Sequence, residues 1–304
     1  MPLVKKKWRY YLPLFPMAIE QFDLRNYDLI FSSSHCVAKG VLTHPDQLHI
    51  CYCHTPMRYA WDLSYDYLKT SGWPSRLLMH YLRGWDVSSS QRVDHFITNS
   101  RFVKKRIRRI YGKEAHVIYP PVDTSLHQLE TEKEDFYLAA SRLVAYKRVD
   151  LIVQAFTQMP QRKLVVVGDG PEMKSLRKIA TPNIHFMGAL SSEALAKLLQ
   201  KARAFLFAAI EDFGILPVEA MASGTPVIAL QKGGVTETVI DHLTGLFFAE
   251  QTTASICDAI LRFEQIETWN HSAIRTHALQ FNKERFRKEI DSFVEATFSD
   301  WKKN

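Results

Sequence analysis

The sequence predicts an α/β protein of two Rossmann-like, doubly wound domains, the first of them incomplete. Three observations predict this. From Phe136 onward, short apolar runs alternate with helical stretches, the pattern of a parallel sheet covered on both faces. The chain is interrupted at "YPPVD" (119–123), where two successive prolines suit neither a helix interior nor a central strand. Before that break strands and helices alternate again. No strand with a glycine-rich loop opens that first series, as a complete domain of this kind requires.

In the second half, strands are expected at "FYLAAS" (136–141), "KLVVVG" (163–168), "IHFMG" (184–188), "AFLFAA" (204–209), "PVIAL" (226–230) and "GLFF" (245–248). Continuous apolar runs of this length belong to strands buried on both faces. Helices are expected at 149–159, 172–180, 192–202, 217–223, 236–241 and 253–263, with a last one from Asn282 to about Phe298. In the first half, strands are expected at 27–33, 48–53, 95–99 and 116–119, and helices at 76–90 and after Ser100, a good N-cap residue. The acidic "LETEKED" (129–135) adds a polar linker. The bounds that follow are residues 1–121, residues 122–282 and a closing helix at 283–304.

Composition narrows the class. Over 304 residues, 46% hydrophobic and 23% charged describe a folded chain of two ordinary domains, not a disordered one. No apolar run reaches the ~20 residues of a membrane span. The opening "MPLVKKKWRYYLPLFPMAIE" is basic and then apolar, but Pro13 and Pro16 break it and no small-residue cleavage site follows. Cys36, Cys51, Cys53 and Cys257 have neither redox nor zinc spacing. Cys51 and Cys53 point the same way on a strand and read as buried thiols, which fits a reducing cytoplasm.

The net charge is +7. Basic residues concentrate in "RFVKKRIRRIYGK", which begins at Arg101 and ends at Lys113. That helix is either a solvated face or a surface for anionic lipid or a phosphorylated substrate. Nucleic acid is the weaker option, because no stacking aromatics recur along it.

The richest stretch is "EDFGILPVE", from Glu211 to Glu219. Pro217 suits the first position of a helix, where its missing N–H costs nothing. Leu216 is then a poor cap, so the helix opens with unsatisfied amides. With Gly214 allowing close approach, those amides make an anion site that fits phosphate. Glu219, expected in the first helical turn, is on its own merely favoured by the helix dipole. Beside a phosphate it suits a ribose diol. Glu211, at the strand end, can accept hydrogen bonds from sugar hydroxyls. Neither has a His or Cys neighbour at ligand spacing, so no metal site is expected.

Other segments converge on the same sheet edge. "SRLVAYKR" places Arg142 and Lys147 in a strand–helix loop, where two cations can grip a diphosphate. "VVVGDGPE" ends a strand with Gly168 and Gly170, which permit close approach. "SGTPVIALQKGGVTE" sets a second glycine pair at a strand end.

In this order, Arg142, Lys147, the Gly-Asp-Gly-Pro turn and the glutamates at 211 and 219 resemble the retaining glycosyltransferases of family four. "EDFGILPVEAMASGTPVIA" is similar to that family's signature of two glutamates bracketing Phe-Gly, and "GGVTETVIDHLTGLFF" to the segment after it. The resemblance covers nearly the whole chain. It implies the GT-B fold, two Rossmann-like domains facing a cleft, with an acceptor-side domain at 1–121 and a nucleotide-sugar-binding domain at 122–282. It implies a nucleotide-sugar donor, a saccharide or lipid-linked acceptor, and neither cofactor nor metal.

Residue by residue, the resemblance implies that Arg142 and Lys147 bind the donor diphosphate. Phe213, Gly214 and Ile215 offer backbone to sugar and phosphate, Glu219 holds the ribose, and Glu211 contacts the transferred sugar. "SSSHCVAKG" and "CYCHTPMRYAWDL" further resemble bacterial enzymes that add mannose during O-antigen and exopolysaccharide assembly, which points to GDP-mannose. His54, in "YCHTP" at a strand end, would contact the sugar and steady charge in the transition state; by itself a lone histidine there is more often structural. The implied mechanism is front-face displacement, in which the leaving diphosphate helps deprotonate the acceptor hydroxyl. The basic helix would dock on anionic lipid, placing the protein in the cytoplasm or on the inner membrane face.

The chain departs from the family at its start. Its first clear strand, "YDLIFSS", resembles a later strand of the family's first domain. A sheet without its earlier strands would expose an edge and apolar surface. Such a chain is expected to be weakly active or inactive as a transferase, or to need a partner that completes the sheet. Two other readings stay open: a nucleotide-sugar-binding remnant without catalysis, and a two-Rossmann nucleotide-sugar epimerase.

Overall fold

The computed structural model describes residues 8–68 and 72–303; the basic run at 5–7 lies outside them. The chain divides into two units. One comprises Met1–Tyr119 with Lys288–Asn304, and the other Pro120–Arg287.

The first unit holds a four-stranded parallel sheet: β1 (Leu29–Ser34), β2 (Leu48–Cys53), β3 (His95–Thr98) and β4 (Ala115–Val117), ordered as in the sequence. Its helices are α1 (Phe15–Ile19), α2 (Ser64–Leu68), α3 (Trp73–Ser90) and α4 (Arg101–Tyr111). Ser100 caps α4 by accepting from the Val103 amide at 3.0 Å, and Gly112 ends it with φ 67°, a conformation glycine adopts without steric cost. Val103, Ile107 and Tyr111 recur every fourth residue, so one face of α4 is apolar. That face packs on Cys51, Cys53 and Phe96. β1 is an edge strand, paired only with β2 among the described residues, and its Phe31 is 43% exposed.

At the centre of this unit lies a buried ion pair. Lys39, in the turn after β1, donates to Asp86 of α3 at 2.5 Å, both side chains being at most 1% exposed. Trp61 Nε1 at 2.8 Å and the Tyr111 hydroxyl at 3.0 Å donate to the same carboxylate. Three donors to Asp86 offset the cost of taking two charges out of water.

The second unit holds six parallel strands: β5 (Glu134–Ala140), β6 (Leu164–Val167), β7 (Ile184–Gly188), β8 (Ala202–Phe207), β9 (Val227–Leu230) and β10 (Gly245–Phe248). They lie in the order β10-β9-β8-β5-β6-β7. The chain thus builds outward from β5 in one direction, returns, and builds outward from β8 in the other. Ligands of such sheets bind outside the strand carboxyl ends at that reversal. Its helices are α5 (Val149–Thr157), α6 (Met173–Ile179), α7 (Ser192–Lys201), α8 (Ile215–Ala222), α9 (Thr253–Glu264) and α10 (His271–Ala278). Tyr137, Phe156, Leu206, Ile228, Phe248 and Phe263 belong to one continuous buried cluster.

Three elements differ from expectation. The stretch 236–241 contains no α-helix; a single 3₁₀ turn, Gly234–Glu237, overlaps its start, held by its own backbone. Helix α10 was not expected, although Asn270 caps it at 2.9 Å from the Ala273 amide and Ile274 and Ala278 are buried four residues apart. The closing helix α11 (Lys283–Trp301) belongs from Lys288 onward to the first unit, because Phe293 packs its ring against His116 of β4, centroids 5.1 Å apart.

Candidate functional site

The reversal in the second sheet falls between β5 and β8. The loop after β5 carries Arg142 and Lys147; the loop after β8 carries Glu211 to Gly214. The topology therefore brings together five of the expected residues, Arg142, Lys147, Glu211, Phe213 and Gly214, from segments about seventy positions apart. Lys147 and Glu211 form an ion pair, both side chains about four-fifths buried. Arg142 is exposed. Directly after Lys147, Arg148 takes a left-handed backbone, φ 54°, rare for a residue with a β-carbon. Its guanidinium is held by Asp150 at 3.1 Å and by Gln251.

Helix α8 begins at Ile215, two residues earlier than expected, with Gly214 as its cap at φ 92°. A left-handed glycine turns the chain sharply enough for the helix to start at once. Pro217 is then the third helical residue, where the missing N–H is still one of the four without an intrahelical acceptor. Glu219 consequently lies in the second turn rather than the first. No side chain caps α8, so its first amides stay available to an anion. Phe213 is 3% exposed and packs edge-to-face on Phe281, ring centroids 5.7 Å apart. What it can offer a ligand is backbone, with the ring as anchor. Ile215 is 46% exposed.

Glu219 is half-buried, and its pKa is raised, first by burial and then by the negative charge of Asp123. Asp123 is itself held below its ordinary value by hydrogen bonds from Lys283 and Ser125. No side chain among the described residues hydrogen-bonds the Glu219 carboxylate. It is an acceptor without a donor, in a place where a donor would be welcome.

The glycines permit the close approach expected of them, and within the chain it is made by neighbouring loops. A β-carbon on Gly168, at φ 127°, would collide with the Ser141 carbonyl, and one on Gly170 with the Leu143 carbonyl. Leu143 N donates to Asp169 O at 2.9 Å, and Glu172 N donates to Leu143 O at 3.1 Å. What approaches these glycines is the loop that carries Arg142. Gly233 plays the same part for the other loop: its absent β-carbon would meet Glu211 O at 2.7 Å, and Gly234 N donates to Glu211 O at 2.8 Å. Both glycine pairs thus brace the charged loops from behind.

His54 stands at the carboxyl end of β2, in the first unit. Its Nε2 is 2.9 Å from Ser33 Oγ, its N–H donates to Ser34 O at 2.8 Å, and Asn99 Nδ2 donates to its carbonyl at 3.0 Å. Burial, and secondarily His35, lower its pKa, so the ring is neutral at physiological pH and acts by hydrogen bonding rather than by charge. The basic helix α4 is less free than its sequence implied. Arg106 reaches Asp62 at 2.8 Å and Thr55 Oγ1 at 3.3 Å, while Lys104 and Arg108 share Glu114 at 3.5 Å. Among the described residues no helix is long and apolar enough to cross a membrane, and no group of three or more His, Cys, Asp or Glu could hold a metal ion.

Comparison with known proteins agrees with this geometry. Solved structures with the same fold include a sucrose-phosphate synthase from Thermosynechococcus elongatus, with TM-score 0.76 at 20% identity over 97% of this chain and 80% of that one. Anabaena HepE, solved with UDP-glucose, matches with TM-score 0.70 at 20% identity over 93% and 82%. These are GT-B glycosyltransferases, and the fold is theirs. Among curated relatives, an alpha-1,3/1,6-mannosyltransferase of Kluyveromyces lactis is 27% identical over 74% of this chain and 53% of its own length. A GDP-mannose-dependent alpha-(1-6)-phosphatidylinositol monomannoside mannosyltransferase of Mycobacterium tuberculosis is 29% identical over 53% and 50%. The chain thus spans about half the length of these relatives. The model of glycosyltransferase family 4 matches residues 1–126 and that of glycosyl transferases group 1 matches residues 124–278; the chain belongs to the group 1 glycosyltransferases.

Proposed function

We propose that the protein is a retaining hexosyltransferase that moves mannose from GDP-mannose to a saccharide or lipid-linked saccharide during surface polysaccharide synthesis. The observation that carries this reading is the arrangement at the sheet reversal: exposed Arg142, the Lys147–Glu211 pair and the unbonded Glu219, set around a left-handed Gly214. Arg142 and Lys147 bind the diphosphate, one as a fork and one as a point charge. The free amides of α8 take a phosphate oxygen. Glu219 accepts from the ribose diol. Glu211, already oriented by Lys147, accepts from the hydroxyls of the transferred hexose.

In this scheme the protein supplies positioning and leaving-group stabilisation. The C1–O bond to the diphosphate breaks, the acceptor oxygen bonds C1 on the same face, and its proton passes to the departing diphosphate. His54, neutral and oriented by Ser33, is assigned a hydrogen bond to the sugar, as the resemblance implies. Mannose as the hexose is supported by the names of the two relatives, and GDP by one of them. A cytoplasmic location with reversible contact to anionic lipid completes the proposal. Lys105, Arg109 and Lys113 carry that contact, because Lys104, Arg106 and Arg108 have acidic partners.

A thermal-shift panel of nucleotide sugars tests the donor. GDP-mannose should raise the melting temperature more than UDP-glucose, and the shift should vanish in Glu219→Ala. Stabilisation by UDP-glucose alone would reassign the donor. Donor binding with neither hydrolysis nor transfer to any acceptor would overturn the catalytic reading.

A further inference from the structure

Lys147 and Glu211 are assigned to different parts of one ligand, the diphosphate and the hexose, and the structure pairs them with each other. Their side chains are 17% and 21% exposed, so neither charge can be handed wholly to water. Among the described residues Lys147 is the only cation that pairs with Glu211. The lysine has a second favourable neighbour: its ammonium lies 5.5 Å from the centre of the Tyr146 ring.

The backbone is fixed on both sides of the pair. Lys147 ends a 3₁₀ turn, Ala145–Lys147, its amide donates to Val144 O at 3.0 Å, and the left-handed Arg148 follows. The Glu211 carbonyl accepts from the Gly234 amide at 2.8 Å, and a β-carbon on Gly233 would lie 2.7 Å from the same oxygen. A change of partner is therefore made by the side chains where they stand, and the carboxylate cannot withdraw with its loop.

A diphosphate that draws on Lys147 brings several negative charges to that ammonium. The Glu211 carboxylate then shares its one cation with a stronger anion, at short range and mostly out of water, where like charges repel strongly. A hydrogen-bond donor offered to Glu211 relieves this. A hexose attached to the diphosphate carries several hydroxyl groups that can donate. A nucleoside diphosphate has none at that end.

We propose that the Lys147–Glu211 pair discriminates a nucleotide sugar from the nucleoside diphosphate that transfer leaves behind: Glu211 disfavours a diphosphate whose hexose is gone and favours one whose hexose is attached. The pair thereby promotes exchange of spent nucleotide for fresh donor. The inference rests on the donor reading of this site. Calorimetry on the full chain compares GDP with GDP-mannose, and in parallel UDP with UDP-glucose, so that the test does not depend on the base. In the parent, the nucleotide sugar of the pair that binds should be held more tightly than its nucleoside diphosphate. Glu211→Gln should bind the nucleoside diphosphate ~3–10-fold more tightly and the nucleotide sugar ~3–10-fold more weakly, because an amide neither repels phosphate nor accepts from hydroxyls as a carboxylate does. Glu211→Asp keeps the charge and should bind the nucleoside diphosphate no more tightly than the parent. Melting temperatures establish that each variant is folded.

A Glu211→Gln variant that binds both ligands more weakly, or binds the nucleoside diphosphate as the parent does, overturns the proposal and leaves the donor site standing. So does a parent that binds nucleoside diphosphate as tightly as nucleotide sugar, whatever the variants do. A parent that binds none of the four overturns the donor reading itself, and the discrimination falls with it.

Discussion

The two units are built around different interiors. The second is centred on an unbroken apolar cluster along one face of a six-stranded sheet, with buried residues such as Leu138, Phe205 and Val227 on the other face. The first is centred on a charged pair, Lys39 and Asp86, with two aromatic donors around it. Their sheets differ in the same sense. The second reverses its strand order between β5 and β8, so adjacent loops diverge and leave room for a ligand; the first runs β1-β2-β3-β4 without reversal. The unit with the ordinary core thus carries the charged site at its reversal, and among the described residues the other unit's sheet has no such reversal. Charge buried for structure and charge gathered for a ligand can be separated by mutation.

The largest effect should come from Asp86→Ala. Removing one partner of a buried pair costs about 3–5 kcal/mol, and here it also strands Lys39 Nζ, Trp61 Nε1 and the Tyr111 hydroxyl. Hydrogen exchange should show β2 and α4 losing protection while β8 and β9 keep theirs, with donor binding retained by the second unit. Removing both charges, as in Lys39→Met with Asp86→Leu, should cost less than the single change. Equal loss of protection in both units would break the comparison.

Lys147→Ala should do the reverse. Its ion pair with Glu211 is about four-fifths buried but still touches solvent, which screens the carboxylate left behind, so the loss of stability should be smaller than for Asp86→Ala. As a stabiliser of the leaving diphosphate it should be worth about 10²–10³ in kcat. Melting temperature and single-turnover transfer rate, measured on the same preparation, should move apart: a smaller fall than in Asp86→Ala in the first, a strong reduction in the second. A variant that transfers at the parental rate would remove Lys147 from the donor site.

How much of this was legible beforehand depended on how local each cause is. Parallel strands buried on both faces read as apolar runs, so "KLVVVG", "AFLFAA" and "PVIAL" announced β6, β8 and β9 to within a residue or two. The placement of Arg142, Lys147 and Glu211 in loops after strands was legible, since those strands could be recognised, and so was that of Glu219 in the helix that follows. Their pairing was not, because Lys147 meets Glu211 only through the sheet order. That the glycines permit close approach was legible, but what approaches them in the chain was not, for the same reason. Nothing near Gly168 in the sequence says that its neighbour is Ser141, or near Gly233 that its neighbour is Glu211. The start of α8 shifted because Gly214 alone decides it. Helix α10 had a readable signal, Asn270 before apolar residues four apart. Lys39 and Asp86 left none: a buried lysine and a surface lysine are written alike.

Glu219 gives the smallest effect and the sharpest one, because its sign depends on whether donor is present. Its folded pKa is raised by burial, and the negative charge of Asp123 adds to this. The folded state therefore binds this proton more tightly than the unfolded chain does. The resulting stability is fully present below the ordinary glutamate pKa and is lost as pH rises through the raised folded value. At neutral pH the ionised carboxylate is a liability in the empty protein. Glu219→Gln should then melt at a higher temperature than the parent near pH 7, and the difference should shrink towards zero near pH 4. Saturating GDP-mannose should invert the order, because ligand stabilises the native state by its binding free energy and the parent carboxylate receives the ribose hydroxyls more strongly than an amide can. A glutamate kept for its ligand must show this crossing. One kept for the helix dipole would make the glutamine variant less stable in both conditions.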